Sequence, residues 1–195
     1  ATGFGRLGSM IEYQSQNSIP DIVSFGKMLT GGYQTFAATL STKKINDSFL
    51  GEFSEFKHLF HGHTYTGNPT AASLSLKNFE LYEKYNLINK IKKTSKIFED
   101  RVDEISNLNV VGEIRHKGMV MGIELVDYKK SNKPIEFSKS INKVVFEEGR
   151  RNSIYFRTLG NIIMLVPPLA ISQKDLNFLI DGTIKTIKAL SGKIQ

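Results

Sequence analysis

The sequence contains no cysteine and no tryptophan. Without thiols it can form no disulfide, and its composition carries no mark of redox compartment. No apolar run approaches the roughly 18 residues that a membrane-crossing helix needs. The opening residues show no leader-like pattern, and a cytoplasmic location is the expectation. Internal repeats and low-complexity tracts are also missing. What is present suits a packed chain: 195 residues, enough for one domain or one and a half, of which 40% are apolar. The formal charge is +7. The basic residues are spread out, mostly along 84–96 and 129–143. That distribution reads as a solvated surface, so no nucleic acid is expected as a partner. Ala1 is not methionine, and a glycine-rich loop that normally follows a strand starts at once. The sequence is therefore expected to begin inside a longer protein.

Hydrophobic spacing divides the chain at about residue 85. Before it, residues 1–19 read as loop, 20–27 as a short apolar strand ending in Gly26-Lys27, and 36–42 as a second strand. A short helix is expected over 43–51, a loop over 58–69 and a helix over 70–85. A lysine-rich amphipathic helix follows over 87–105, with Ile88, Ile91, Ile97, Val102 and Ile105 on its apolar side. Strands are predicted at 110–115 and 119–126 around a Lys117-Gly118 turn. A helix over Ser138–Gly149, stopped by its glycine, comes next. A hairpin of 154–157 with 162–166 and a last helix from Ser172 to Leu190 complete the chain. Strand-strand-helix-hairpin-helix after residue 110 implies a small α+β domain.

Four motifs bear on chemistry. Gly3-x-Gly5-x-x-Gly8 matches the dinucleotide fingerprint in letters, but lacks the strand before and helix after that place a pyrophosphate on a helix N-terminus. Gly26-Lys27 lacks the earlier glycine and following hydroxyl of an ATP loop, because those places hold Asp21 and Met28. A lysine at the end of an apolar strand is either snorkelling or buried. If buried, its ammonium is disfavoured, and the neutral amine is a nucleophile suited to Schiff-base chemistry. His58, His61 and His63 form a cluster without a cysteine to complete a zinc set, and no metal is expected. The surrounding Gly62, Thr64, Tyr65, Thr66, Gly67 and Asn68 offer hydroxyls and open amides, as a phosphate site or an ordinary polar turn would. Arg157, in the predicted hairpin, can grip a ligand carboxylate in a two-pronged fork or pair with a protein carboxylate.

The order of these signals is more specific than any one of them. Ala-Thr-Gly-Phe-Gly-Arg at 1–6, Pro20-Asp21, Gly26-Lys27 with Leu29-Thr30-Gly31-Gly32, and His61-Gly62-His63-Thr64-Tyr65-Thr66-Gly67-Asn68-Pro69 resemble class III aminotransferases dependent on pyridoxal phosphate (PLP). Gly118, Gly122, Glu124-Leu125, Phe156-Arg157 and Leu165-Val166-Pro167-Pro168 extend the match. It covers essentially the whole chain and only the second half of such an enzyme. The resemblance implies an α/β protein of PLP fold type I, with the C-terminal part of the large domain over 1–85 and a small α+β domain over 86–195. Leu29–Tyr33 leading to Ala37–Leu40, and the His61–Pro69 loop, are most similar to the biotin-biosynthesis branch of the class. Ornithine, acetylornithine and γ-aminobutyrate aminotransferases usually differ at both stretches.

On that resemblance Lys27 forms the Schiff base with PLP and shuttles protons. His63 and Thr64 hold the phosphate of the neighbouring subunit's cofactor. Gly62 lines the substrate site, and Arg157 grips the carboxylate of 8-amino-7-oxononanoate. The implied donor is S-adenosylmethionine, or lysine in some relatives, and the implied assembly is a homodimer with shared active sites. Two residues depart from the usual pattern: Thr158 stands where proline is common, and Leu7 where threonine is common. The aspartate that keeps the PLP ring nitrogen protonated would lie three residues before Ala1, so these 195 residues alone are expected to be inactive. The alternatives are another class III ω-aminotransferase and a non-catalytic half-enzyme that needs its N-terminal half.

Overall fold

The structure, a computed structural model, describes residues 1–129, 133–136 and 139–193. The expected helix start at Ser138 and part of the lysine-rich stretch 129–143 lie outside the described residues. The chain forms two compact units: Ala1–Gly5 with Ser9–Leu87, and Arg6–Gly8 with Ile88–Gln195. No helix among the described residues is long and apolar enough to cross a membrane.

The first unit holds an antiparallel pair, β1 (Ile22–Phe25) and β2 (Ala38–Ser41), with Ile22 opposite Ser41 and Phe25 opposite Ala38. Residues 1–19 are more ordered than their sequence suggests. The Phe4 and Gly5 amides bond the Met10 and Ser9 carbonyls at 2.7 and 3.0 Å, and Glu12–Ser15 makes one helical turn, α1. Phe4 is buried, its ring 5.4 Å from that of Phe25 and 5.6 Å from that of Phe79. The Tyr82 hydroxyl donates to the Phe4 carbonyl at 2.8 Å, so an aromatic cluster ties the opening loop to β1 and the later helix. A 3₁₀ turn at Lys27–Thr30, α2 (Lys43–Asp47) and a second 3₁₀ turn at Phe53–Glu55 come before α3 (Pro69–Lys84). α3 starts where it does because the Asn68 side chain accepts the Ala71 amide at 3.1 Å and Pro69 occupies a first-turn position that needs no N–H donor. It stops at Tyr85, and Asn86 turns the chain with φ 47°.

The second unit is built on α4 (Leu87–Ser106), whose first residue still belongs to the first unit. Ile91, Phe98 and Ile105, spaced two turns apart, are fully buried along one stripe. Four antiparallel strands follow in the order β3-β4-β6-β5: β3 (Val111–Lys117), β4 (Val120–Leu125), β5 (Arg157–Leu159) and β6 (Ile162–Leu165). Alternation puts Met121, Ile123, Leu125, Ile163 and Leu165 into the core. α5 (Ile141–Arg151) and α6 (Gln173–Leu190) complete the unit. Ser172 caps α6 as its position predicts, accepting the Asp175 amide at 3.0 Å.

Two expectations in this unit need correction. Gly149 does not stop α5, which runs on to Arg151 with no left-handed glycine. A Cβ there would lie 2.9 Å from both the Ile154 carbonyl and Phe156 Cε2, so the glycine serves close packing. The strand expected at 154–157 begins only at Arg157, because Ile154 and Phe156 are spent in that packing: both are buried, and Ile154 sits against Gly182 of α6.

Gly118 has two reasons to be glycine. Its φ is 58°, and a Cβ would lie 2.6 Å from Gly8 N and Leu7 Cα. The same approach lets the Met119 amide bond the Arg6 carbonyl at 2.9 Å. Gly118→Ala is expected to lower unfolding free energy by about 2–3 kcal/mol, from left-handed strain and overpacking together. Denaturant midpoints check this, with Gly192→Ala, where a Cβ meets open space, as the control.

Glu148 is buried on α5 and accepts from Lys193 and Arg151. The Lys193 hydrogen bond is the main cause that holds its carboxyl below the ordinary value; burial opposes it, and the charges of Arg151 and Lys193 assist. A carboxylate lowered in the fold contributes stability that is present above its unfolded pKa and lost as pH falls through its folded one. The melting-temperature gap between wild type and Glu148→Gln should therefore be full near neutrality and shrink below about pH 4. A gap that stays constant down to pH 2 would refute this.

Candidate active site

Lys27 follows β1 directly, after an extended Gly26. Its own φ is 49°. A left-handed conformation is uncommon for a residue with a Cβ and persists where the surroundings impose it. The surroundings are visible. Asn78 of α3 donates Nδ2 to the Met28 carbonyl at 2.8 Å and to the Leu29 carbonyl at 3.3 Å. Thr30, buried, donates Oγ1 to the Gln34 carbonyl at 2.6 Å. Gly31 and Gly32 carry the chain onward with φ of 64° and 88°. Lys27 itself is exposed, so of the two readings of its sequence position burial is not the one this chain adopts. Gly26 and Met28 on either side of it line a cavity with Thr2, Gly3, Tyr13 and Ser24.

Gly62, His63 and Thr64 lie in the exposed loop that leads into α3. A Cβ on Gly62 would meet nothing within 4 Å, so the backbone there is open to a ligand. The Tyr65 amide donates to His63 Nδ1 at 3.2 Å. With Nδ1 accepting, the neutral ring carries its proton on Nε2 and presents an outward donor. Thr64 adds a hydroxyl. Of the other two histidines of the cluster, His58 packs its ring 3.8 Å from that of Phe60. Among the described residues no group of three His, Cys, Asp or Glu side chains is placed to hold a metal.

Arg157 stands in β5 opposite Met164, with its side chain exposed. Asn142, Lys143, Phe146, Tyr155 and Thr158 line the same cleft. No described carboxylate pairs with Arg157; in the same sheet Arg115 pairs with Glu124 at 3.5 Å. Lys27 and the Gly62–Thr64 loop thus belong to the first unit and Arg157 to the second. No hydrogen bond among the described residues joins Lys27 to His63 or Thr64. Asn78 and Thr30 carry no chemical signature in sequence, since a polar residue within a helix and a threonine in a turn are ordinary.

An exposed lysine amine at a strapped strand end, with hydroxyl and ring N–H donors on an open loop before a helix, is a donor set that suits an aldehyde bearing a phosphate. The family model described as aminotransferase class-III matches residues 1–187, and the chain belongs to that family, whose members depend on PLP. Its fold is fold type I of PLP enzymes. Within the family it is similar to enzymes named adenosylmethionine-8-amino-7-oxononanoate aminotransferase. That of Methanocaldococcus jannaschii is 43% identical over 192 residues, covering 96% of this chain and 42% of its own. That of Geobacter sulfurreducens is 37% identical over 192 residues, covering 98% and 42%. The crystal structure of the M. jannaschii enzyme superposes with a TM-score of 0.90 at 42% identity, over 97% of this chain and 44% of that one. The chain thus spans about two fifths of the length of the curated relatives it matches.

Proposed function

We propose that the polypeptide carrying this sequence is the biotin-pathway aminotransferase that converts 8-amino-7-oxononanoate to 7,8-diaminononanoate, with S-adenosylmethionine as amino donor. The observation that carries the reading is Lys27: an exposed amine held by left-handed backbone at the end of β1. The identities of 37% and 43% to enzymes of that name support the substrate, as do Leu29–Tyr33 and His61–Pro69.

PLP, when bound, supplies an electron sink for bond changes at the carbon that carries the amino group. Lys27 would hold the cofactor by its amine and, when free, would carry the proton at the substrate carbon that bears the amino group. His63 Nε2–H and the Thr64 hydroxyl would hold the phosphate of the neighbouring protomer's cofactor, so that active sites would be shared across a homodimer. The bare backbone at Gly62 leaves room for substrate. Arg157 offers two parallel N–H donors to the carboxylate at the far end of 8-amino-7-oxononanoate. Its lack of a protein partner among the described residues supports a ligand role. The reaction is assigned to the cytoplasm.

The test is turnover of 8-amino-7-oxononanoate by the full polypeptide with S-adenosylmethionine, and separately with lysine. Diamine formation with S-adenosylmethionine is the expected result, and formation with lysine alone would correct the donor. Turnover of ornithine, acetylornithine or γ-aminobutyrate with none of 8-amino-7-oxononanoate would overturn the substrate assignment.

A further inference from the structure

The turn that presents Lys27 is held from outside itself. Within Lys27–Thr30 the Gly31 amide bonds the Met28 carbonyl at 3.1 Å, which leaves the Leu29 carbonyl without a backbone partner at the turn's end. Asn78 reaches across from α3 to both carbonyls, at 2.8 and 3.3 Å. The fit is close: a Cβ on Gly31 would lie 3.0 Å from Asn78 Oδ1. Beyond Gly31, the Thr30–Gln34 bond and the left-handed pair Gly31-Gly32 fix how the chain leaves the turn. Among the described residues, Asn78 clamps the two residues directly after Lys27 by its side chain, from a helix that begins at the candidate phosphate loop.

We propose that Asn78 is the positioning residue for Lys27: by fixing the Met28 and Leu29 carbonyls it keeps Lys27 in left-handed backbone and its amine in one attitude toward an incoming aldehyde. The proposal rests on the reading of Lys27 as the PLP lysine. In that step the Lys27 nitrogen adds to the aldehyde carbon. Its two protons leave with the carbonyl oxygen as water, and a C=N bond remains. No oxidation state changes. Asn78 touches no reacting atom. It sets the conformation from which the nitrogen approaches, so its loss slows attachment without removing the nucleophile.

Asn78→Ala deletes both bonds while giving α3 its best helix former, so the helix itself is not weakened. Asn78→Asp keeps the shape but turns an acceptor toward two carbonyls. The measurement is the rate at which PLP added to the full apo-polypeptide becomes borohydride-fixable on the peptide containing Lys27. Both variants are expected to be slower by about tenfold, the effect of losing one to two net hydrogen bonds. Ser75→Ala, one turn earlier on the same buried face of α3, is expected to label at the wild-type rate. Labelling of Asn78→Ala and Asn78→Asp at wild-type rate overturns the positioning role while leaving Lys27's role intact. A rate loss in Asn78→Ala alone, with the isosteric Asp variant normal, assigns Asn78 to space-filling and overturns it too. Wild-type protein that fixes PLP elsewhere than Lys27 removes the functional reading and this proposal with it.

Discussion

Lys27→Ala is expected to leave the full polypeptide with no borohydride-fixable PLP and no visible absorption from a lysine-bound cofactor. The change removes the only exposed amine that directly ends β1, on a backbone whose left-handed φ of 49° marks an imposed conformation. Two contributions vanish together: the covalent tether and the group that moves the proton. Turnover should fall by at least about a hundredfold, the lower end of what a positioned proton-transfer group supplies. Because Lys27 is exposed, its removal opens no cavity, and the melting temperature of the apo-protein should hardly move. A reducible adduct that persists in the variant would assign the chemistry to another lysine.

Arg157 is expected to act on one half-reaction only. The register sets Arg157 opposite Met164, which in turn faces Gly122, so the guanidinium leaves the sheet on the side away from Ile123 and Ile163. It has no carboxylate partner among the described residues and is free to take one from a ligand. Arg157→Lys keeps the charge and loses the fork, whereas Arg157→Ala loses both. An unpaired carboxylate in the bound substrate costs about 2–5 kcal/mol. The donor half-reaction, followed as PLP becomes its amine form, should stay near wild type. The half-reaction with 8-amino-7-oxononanoate should slow at least tenfold. Equal losses in both would make Arg157 structural; loss in neither would put the carboxylate elsewhere.

Much of this was legible in the sequence for physical reasons that can be named. The helices over 69–84 and 87–106 announce themselves by apolar spacing, and the start of the last one by the cap chemistry of Ser172, whereas the Asn68 cap and Pro69 fall in a stretch that reads as loop. The Lys117-Gly118 and Gly160-Asn161 turns follow from residues that tolerate positive φ, as both glycines have here. What stayed hidden depends on partners far away in the chain. Gly149 looks like a helix stop because nothing local reveals the Phe156 ring against it. The strand at Arg157 looks longer than it is because Ile154 and Phe156 are apolar for the helices' sake. At the candidate site the reacting types, Lys27, His63, Thr64 and Arg157, stand out by kind. Asn78 does not, since its meaning lies in two carbonyls some fifty positions earlier.

The short stretch Arg6–Gly8 sits within the second unit although both its flanks belong to the first. Arg6 Nη1 donates to the Pro167 carbonyl at 2.6 Å, across 161 positions of sequence. During synthesis this stretch must wait for 161 further residues before its acceptor at Pro167 exists. Ring closure over such a span is entropically slow, and contacts of this kind dominate folding times. Refolding should therefore end in a late step in which β3, β4 and the turn at Gly118 close over the Arg6–Gly8 strap.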